Sequence, residues 1–266
     1  MDRIGRTNRI GKRNRTDREE SVQFQKTLAA IAVPVTLQNL LQSSFSVVDQ
    51  IMTGQLGSVS IAGIGLGSKF SSIYSVLVNA VAASAGIMIA QYIGQKDEKE
   101  VGRSFCVNLL GAVLLAAVFT GITGLAPERI MGIYTEDGET RRVAAGYLRI
   151  LGSAYIPMAV STLFATLLRC RESAKLPLYS SVAAAFINTG LNYLLIFGKL
   201  GFPRLEAQGA ALATVLSQAA GCVLTVFFYW RKSKREGWRL PCSFRLGKER
   251  RIRYMGILAP MIVCEF

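Results

Sequence analysis

The sequence predicts an all-α membrane protein with six transmembrane helices followed by the start of a seventh. Three observations carry that prediction. Hydrophobic residues make up 51% of the chain and charged residues only 18%, with a mean hydropathy of +0.34. The apolar residues fall in six runs, each long enough for a bilayer core about 30 Å thick. The net charge of +14 is gathered between alternate runs: eight Lys and Arg lie in residues 1–26, three in 91–104, three in 169–178 and ten in 231–253. By the positive-inside rule those four segments are cytoplasmic, and so is the amino terminus of a multi-pass protein of the cell (inner or plasma) membrane.

Residues 1–26 form a basic cytoplasmic tail, and residues 27–231 the six-helix lobe. The tail MDRIGRTNRIGKRNRTDREE has the composition of a nucleic-acid arm, but anionic lipid headgroups account for the same charges, so no nucleic-acid partner is expected. The first span runs from about Leu28 to Thr53. At 100° per residue, Gln38, Asn39, Gln42, Ser43, Ser46, Asp49, Gln50 and Thr53 share one arc of about 140°, and only Ser44 lies outside it. In lipid the polarity of a helix is inverted, so this arc must face other helices or a water-filled cavity. Asp49 is the only carboxylate within the six spans. It lies roughly 35 Å along the helix from Lys26, in the outer half of the membrane.

The turn GQLGS leads to the second span, about Val59–Ile93, which is longer than a bilayer needs and carries Ser68, Ser72, Ser75 and Asn79 on one face. GQKDEKE returns the chain to the third span, about Phe105–Leu125. PERIMGIYTEDGET is an outer connection. In the fourth span, about Arg142–Leu168, Pro157 leaves a carbonyl without its donor and kinks the helix. After the basic turn RCRESAK, the fifth span, about Leu178–Phe197, places Asn188 and Asn192 one turn apart. They serve either as interhelical hydrogen-bonding groups or as a polar cavity wall. The sixth span, about Ala210–Trp230, follows the outer loop GKLGFPRLEAQG. Residues 232–253 read as a cytoplasmic linker and 254–266 as the truncated start of a second lobe, where Ile257 and Pro260 repeat the register of Ile31 and Pro34.

Several chemistries are excluded. Histidine is absent, which removes His-based triads and the usual zinc sites. GIGLG at 63–67 has no preceding strand for a dinucleotide fold, and its Gly63/Gly67 pair suits close helix packing instead. There is no Walker motif, catalytic carboxylate pair or nucleophile elbow, so the chain is expected to be neither an enzyme nor an ATP-driven pump. The five cysteines lie in spans or on the cytoplasmic side, so no disulfide is expected. What remains is a membrane carboxylate. Burial favours its neutral form and a neighbouring cation its charged form, so a residue balanced between them exchanges a proton or accepts Na⁺.

The segments P-x(14)-DQIMTGQLG, QYIGQKDEKEVGRSF, YIPMAVSTLFATLLRCRESAKLP and NTGLNYLLIFGKLGFP…GAALATVLSQ resemble, in order, the multidrug and toxic compound extrusion (MATE) family over about residues 22–266. The resemblance implies twelve helices in two six-helix lobes related by a pseudo-twofold axis. This chain would then be the amino-terminal lobe plus the start of helix seven, with the carboxy-terminal lobe missing. It further implies export of small cationic or amphipathic organic substrates in exchange for H⁺ or Na⁺, without a cofactor.

By the same resemblance Asp49 matches a coupling carboxylate, Asn188 a nearby asparagine and Thr214 a nearby threonine. Asn192 stands where some members have a second aspartate, and Ser173 replaces a glycine. The coupling set is therefore Asp49, Asn188, Asn192 and Thr214, and a Na⁺ at Asp49 is the one metal ion this reading admits. Gln38, Gln42, Ser46 and Asn79 line the substrate cavity. Tyr74, Tyr155 and Phe164 either stack on flat cations or pack. A lipid-linked precursor flippase is the alternative; it calls for a cavity ringed by Arg and Lys, of which only Lys69 and Arg149 lie near spans. A transport-inactive fragment is a third reading, since alternating access needs two halves.

Overall fold

In hydrocarbon every backbone N–H and C=O has to find its partner within the protein, and long apolar segments meet that constraint as helices. The computed structural model describes residues 2–199, 201 and 203–238, and these are helical almost throughout. The helices are α1 (Asp2–Thr53), α2 (Ser58–Gly94), α3 (Glu98–Leu125), α4 (Pro127–Tyr134), α5 (Gly138–Leu151), α6 (Tyr155–Cys170), α7 (Lys175–Phe197) and α8 (Glu206–Glu236). Six segments are long and apolar enough to cross a membrane: Leu28–Thr53, Ser58–Gly94, Glu98–Leu125, Gly138–Cys170, Lys175–Phe197 and Glu206–Glu236. These are the six spans expected from the sequence. The linker beyond residue 238 and the expected start of a seventh helix at 254–266 lie outside the described residues.

Local chemistry sets the helix ends. Asp97 caps α3 by accepting from the backbone N–H groups of Lys99 (3.1 Å) and Glu100 (3.2 Å). Asp137 caps α5 through Thr140 N at 2.9 Å, and hydrogen bonding to Thr140 holds its carboxyl below the usual carboxylate range. At the end of α7, Gly198 takes the left-handed conformation (φ 65°) that terminates a helix without a Cβ clash.

Two connections differ from the sequence reading. The fourth span is two helices, α5 and α6, joined by a 3₁₀ turn at Gly152–Ala154. Pro157 has no N–H for the carbonyl of Ser153, so the bend falls one turn before the proline. Thr120 Oγ1 donates to Gly152 O at 2.8 Å and anchors the bend to α3. The outer connection also folds in part: PERIMGIY becomes α4, which buries Met131 against Ala144, Ala145 and Leu148 of α5.

The core forms where α2 meets α3, α5 and α6. Tyr74, Val78, Phe105, Tyr155, Leu163 and Leu167 fill its largest cluster. The Tyr74 hydroxyl donates to Tyr155 O at 2.7 Å, and the Tyr155 hydroxyl pairs with Ser71 Oγ at 2.9 Å. Tyr74 and Tyr155 are thus buried packing groups, and Phe164 packs between Phe105 and Tyr229. The Gly63/Gly67 pair faces α5. A Cβ on Gly63 would lie 2.8 Å from the Val143 side chain, and one on Gly67 would lie 2.5 Å from the Tyr147 ring.

Cys170 and Cys222 are free thiols, whereas Cys106, in the core, is disulfide-bonded. That corrects the expectation that no disulfide forms.

Away from the core, large apolar side chains face outward: Leu114 and Val118 on α3, Phe186 on α7 and Val223 on α8 are all more than half exposed. In water this would be an aggregation surface; for a lobe in lipid it is the solvated face. Helix α1 packs chiefly on α7, leaving Leu40, Val47 and Ile51 exposed.

Because Gly67 touches Tyr147 and Gly65 has open space around it, Gly67→Val is expected to cost about 1–3 kcal/mol of overpacking, while Gly65→Val meets no neighbour and slightly gains helix propensity. A thermal melt of the full-length protein in detergent checks this. Gly67→Val should melt several degrees below Gly65→Val, and equal melting would contradict the close α2–α5 contact.

Candidate functional site

The polar arc of α1 turns inward. With α2, α6, α7 and α8 it encloses a cavity of about 580 Å³ whose lining includes Gln38, Gln42, Ser46 and Asp49 of α1 and Asn79 of α2. Asn188 of α7 and Thr214 of α8 complete the set of sequence-predicted residues on this wall. Asn192 stands just behind it, fully buried.

A hydrogen-bond chain runs through these residues from α8 to α1. The Asn192 Nδ2 amide donates both to Asp49 Oδ1 and to Asn188 Oδ1, the latter at 3.2 Å. Asn188 Nδ2 donates to Ser217 Oγ at 3.3 Å, and Ser217 Oγ donates to Thr214 O at 2.9 Å. When Asp49 is ionised its carboxylate only accepts, which matches the NH₂ side of the amide that it meets here. Asn192 Oδ1 is left buried without a donor. Asp49 forms no ion pair with any described residue. The Asp49 carboxylate of α1 thus meets the Asn192 amide N–H groups of α7, with Asn188 Oδ1 beyond them, in one half-buried place, and a carboxylate so held can take a proton.

Thr214 is on the wall, but its hydroxyl donates to Ala210 O at 3.0 Å, within its own helix, and not to Asp49. The α8 side chain that joins the network is Ser217, which sequence reasoning left out of the coupling set although it lies on the Thr214 face.

The α6 contribution was also missed. Ser161, Thr162 and Arg169 line the cavity. Ser161 and Thr162 interrupt an otherwise apolar segment, which was the available signal. Arg169 had been counted with the basic turn after the fourth span. It lies in the cavity wall with Nε buried and unpartnered. Lys69 and Arg149, the two cations noted in the sequence, are not among the lining residues.

Known proteins share this fold. The chain is 27% identical over 222 residues to the probable multidrug resistance protein NorM of Thermotoga maritima, covering 84% of this chain and 48% of that protein. It is 29% identical over 223 residues to the probable multidrug resistance protein YoeA of Bacillus subtilis, covering 82% and 47%. The chain thus spans about half the length of the curated relatives it matches. In fold it is similar to an outward-facing multidrug resistance MATE family transporter of the MOP superfamily, with a TM-score of 0.79 at 20% identity over 90% of this chain and 52% of that one. A MOP superfamily transporter from Pyrococcus furiosus, described as having a binding pocket of reverse polarity, superposes with a TM-score of 0.78 at 21% identity over the same shares. The MatE family itself matches residues 34–194, more than half of the sequence, and the chain therefore belongs to the MatE family of MATE transporters.

Proposed function

We propose that this chain is the amino-terminal half of a secondary antiporter that exports small cationic or amphipathic organic compounds in exchange for H⁺ or Na⁺. The observation that carries the reading is the link from Asp49 through Asn192 and Asn188 to Ser217, lining a polar cavity within a lobe of membrane-spanning helices. Asp49 takes the coupling cation. Asn192 orients its carboxylate through its amide N–H, Asn188 holds Asn192 and supplies an amide oxygen to the site, and Thr214 borders it. Gln38, Gln42, Ser46 and Asn79 meet the organic substrate. Because the residue at 192 is an asparagine, Asp49 is the single titrating group of this network.

Alternating access rocks one half against another around a site near the bilayer midplane. Activity therefore belongs to an assembly of two such halves in the cell membrane, with the basic segments and the amino terminus in the cytoplasm. Transport by an ion gradient links the two solutes only if the carboxylate cannot leave its charge uncompensated in lipid, where a central Asp costs about 2.5–3.5 kcal/mol.

Flipping of a lipid-linked precursor is the second reading. It draws on Arg169, the one cation among the described residues of the cavity wall, which suits a phosphate. A single cation sharing the space with a carboxylate favours the exporter. Arg169→Gln in the full-length protein distinguishes the two: efflux of organic cations persists if the exporter reading holds, whereas translocation of an anionic lipid-linked cargo is lost if the flippase reading does.

Asp49→Asn in the full-length protein is expected to reduce ion-gradient-driven efflux to background in everted vesicles while expression is kept. Undiminished efflux would remove the coupling role. Asn192→Ala, which deletes the N–H donor that stabilises the ionised Asp49 carboxylate, is expected to lower the H⁺ concentration needed for half-maximal efflux. An unchanged ion dependence would leave Asn192 with packing alone.

A further inference from the structure

A second cavity, of about 870 Å³, opens where α1, α7 and α8 come together at the basic end of the lobe. Its rim carries Lys175 at the start of α7 and Arg231 and Arg235 in the last turns of α8. None of these three forms an ion pair with a described residue. Lys232 is already engaged, donating to Ser173 Oγ at 2.6 Å and pairing with Glu236 at 3.3 Å. Glu172 is the one other carboxylate on the rim, so the unpaired charge there is positive.

The chemistry changes with depth. The inner wall is apolar, formed by Leu176, Tyr179 and Phe228. Tyr179 is 57% exposed one turn into α7, and Trp230 is 53% exposed near the end of α8 with Lys234 Nζ 4.2 Å from its ring centroid. Half-exposed Tyr and Trp at helix ends mark the headgroup level of a bilayer.

From this juxtaposition we infer a binding site for an anionic phospholipid, with the phosphodiester against Lys175, Arg231 and Arg235 and the acyl chains along Leu176, Tyr179 and Phe228. A cationic rim over an apolar wall at headgroup depth matches a lipid better than a free anion, which has no use for the apolar wall. Its place between α1, α7 and α8 gives the lipid a function. It would join the cavity's carboxylate helix to the two helices that carry the rest of the hydrogen-bond chain. The inference rests on the six helices spanning a membrane and is independent of the coupling role of Asp49.

Native mass spectrometry of the delipidated full-length protein, titrated with phosphatidylglycerol, phosphatidylcholine or inorganic phosphate, tests it. Phosphatidylglycerol should be retained and phosphatidylcholine should not, and millimolar phosphate should leave the bound lipid in place. The triple variant Lys175→Gln, Arg231→Gln, Arg235→Gln should bind phosphatidylglycerol roughly 100-fold more weakly, at about 1 kcal/mol for each cation. A control pair at the opposite end, Arg129→Gln and Arg141→Gln, should bind like the parent. If the triple variant is not monodisperse, Arg231→Gln alone should weaken binding roughly fivefold on the same scale. Equal retention of phosphatidylcholine, displacement by phosphate, or unchanged binding in the variants would each overturn the site. Repeating the titration in Asp49→Asn separates this result from the transport reading, since binding should be unaltered there.

Discussion

The hydrogen bond between the Asn192 amide and the Asp49 carboxylate decides how α1 sits on the rest of the lobe. Most of the apolar surface of α1 is exposed, and its main partner is α7. Between two lipid-soluble surfaces the hydrophobic effect gives almost no preference for one rotation over another. The polar arc supplies it. Turning Asp49 outward would place a carboxylate in hydrocarbon and strand the Asn192 amide, and both penalties favour the inward rotation. Phe45 on Phe186, ring centroids 5.3 Å apart, adds an apolar contact along the same α1–α7 seam.

Around that seam the lobe divides into a close-packed part and an open part. The α2–α3–α5–α6 side is held by small residues and buried aromatics, with Gly63 and Gly67 against α5 and Tyr74 against Tyr155. Its bend at Gly152 is tied to α3 by Thr120. Such a body transmits displacement because its interior cannot be compressed. The α1, α7 and α8 side faces it across the cavity and carries the carboxylate network. The ionisable group thus lies at a boundary between packed helices, held by a contact from α7 and not by bulk solvent.

The cavity is polar without being uniformly charged. One carboxylate and one guanidinium face it from different helices, Asp49 of α1 and Arg169 of α6, amid amides and hydroxyls. Hydroxyls such as Thr214 and Thr225 return to their own helix carbonyls, so they need no water to be satisfied. At the cavity it is the amides that reach across helices, as Asn188 does to Ser217 and Asn192 to Asp49.

The amino-acid sequence alone determined the six spans and the inward face of α1, because a segment's length in lipid and the period of its polar residues are local properties. It also singled out Asp49, the one carboxylate in the spans, and the pair Asn188 and Asn192, whose one-turn spacing shares a face. Three matters were left to the tertiary structure. Arg169 reads from the sequence like any basic residue at a helix end, and only packing turned it into the cavity. The bend near Pro157 was foreseeable, but its place at Gly152–Ala154 was chosen by the α3 contact through Thr120 and by the room a glycine leaves beside Thr123. Asn188 and Asn192 left open whether they were interhelical glue or cavity wall, and the fold divided the parts: Asn192 is buried on Asp49, Asn188 faces the cavity. The physical reason is common to all three. Periodicity tells which residues share a face, whereas the partner that face meets is set by helices far away in the chain.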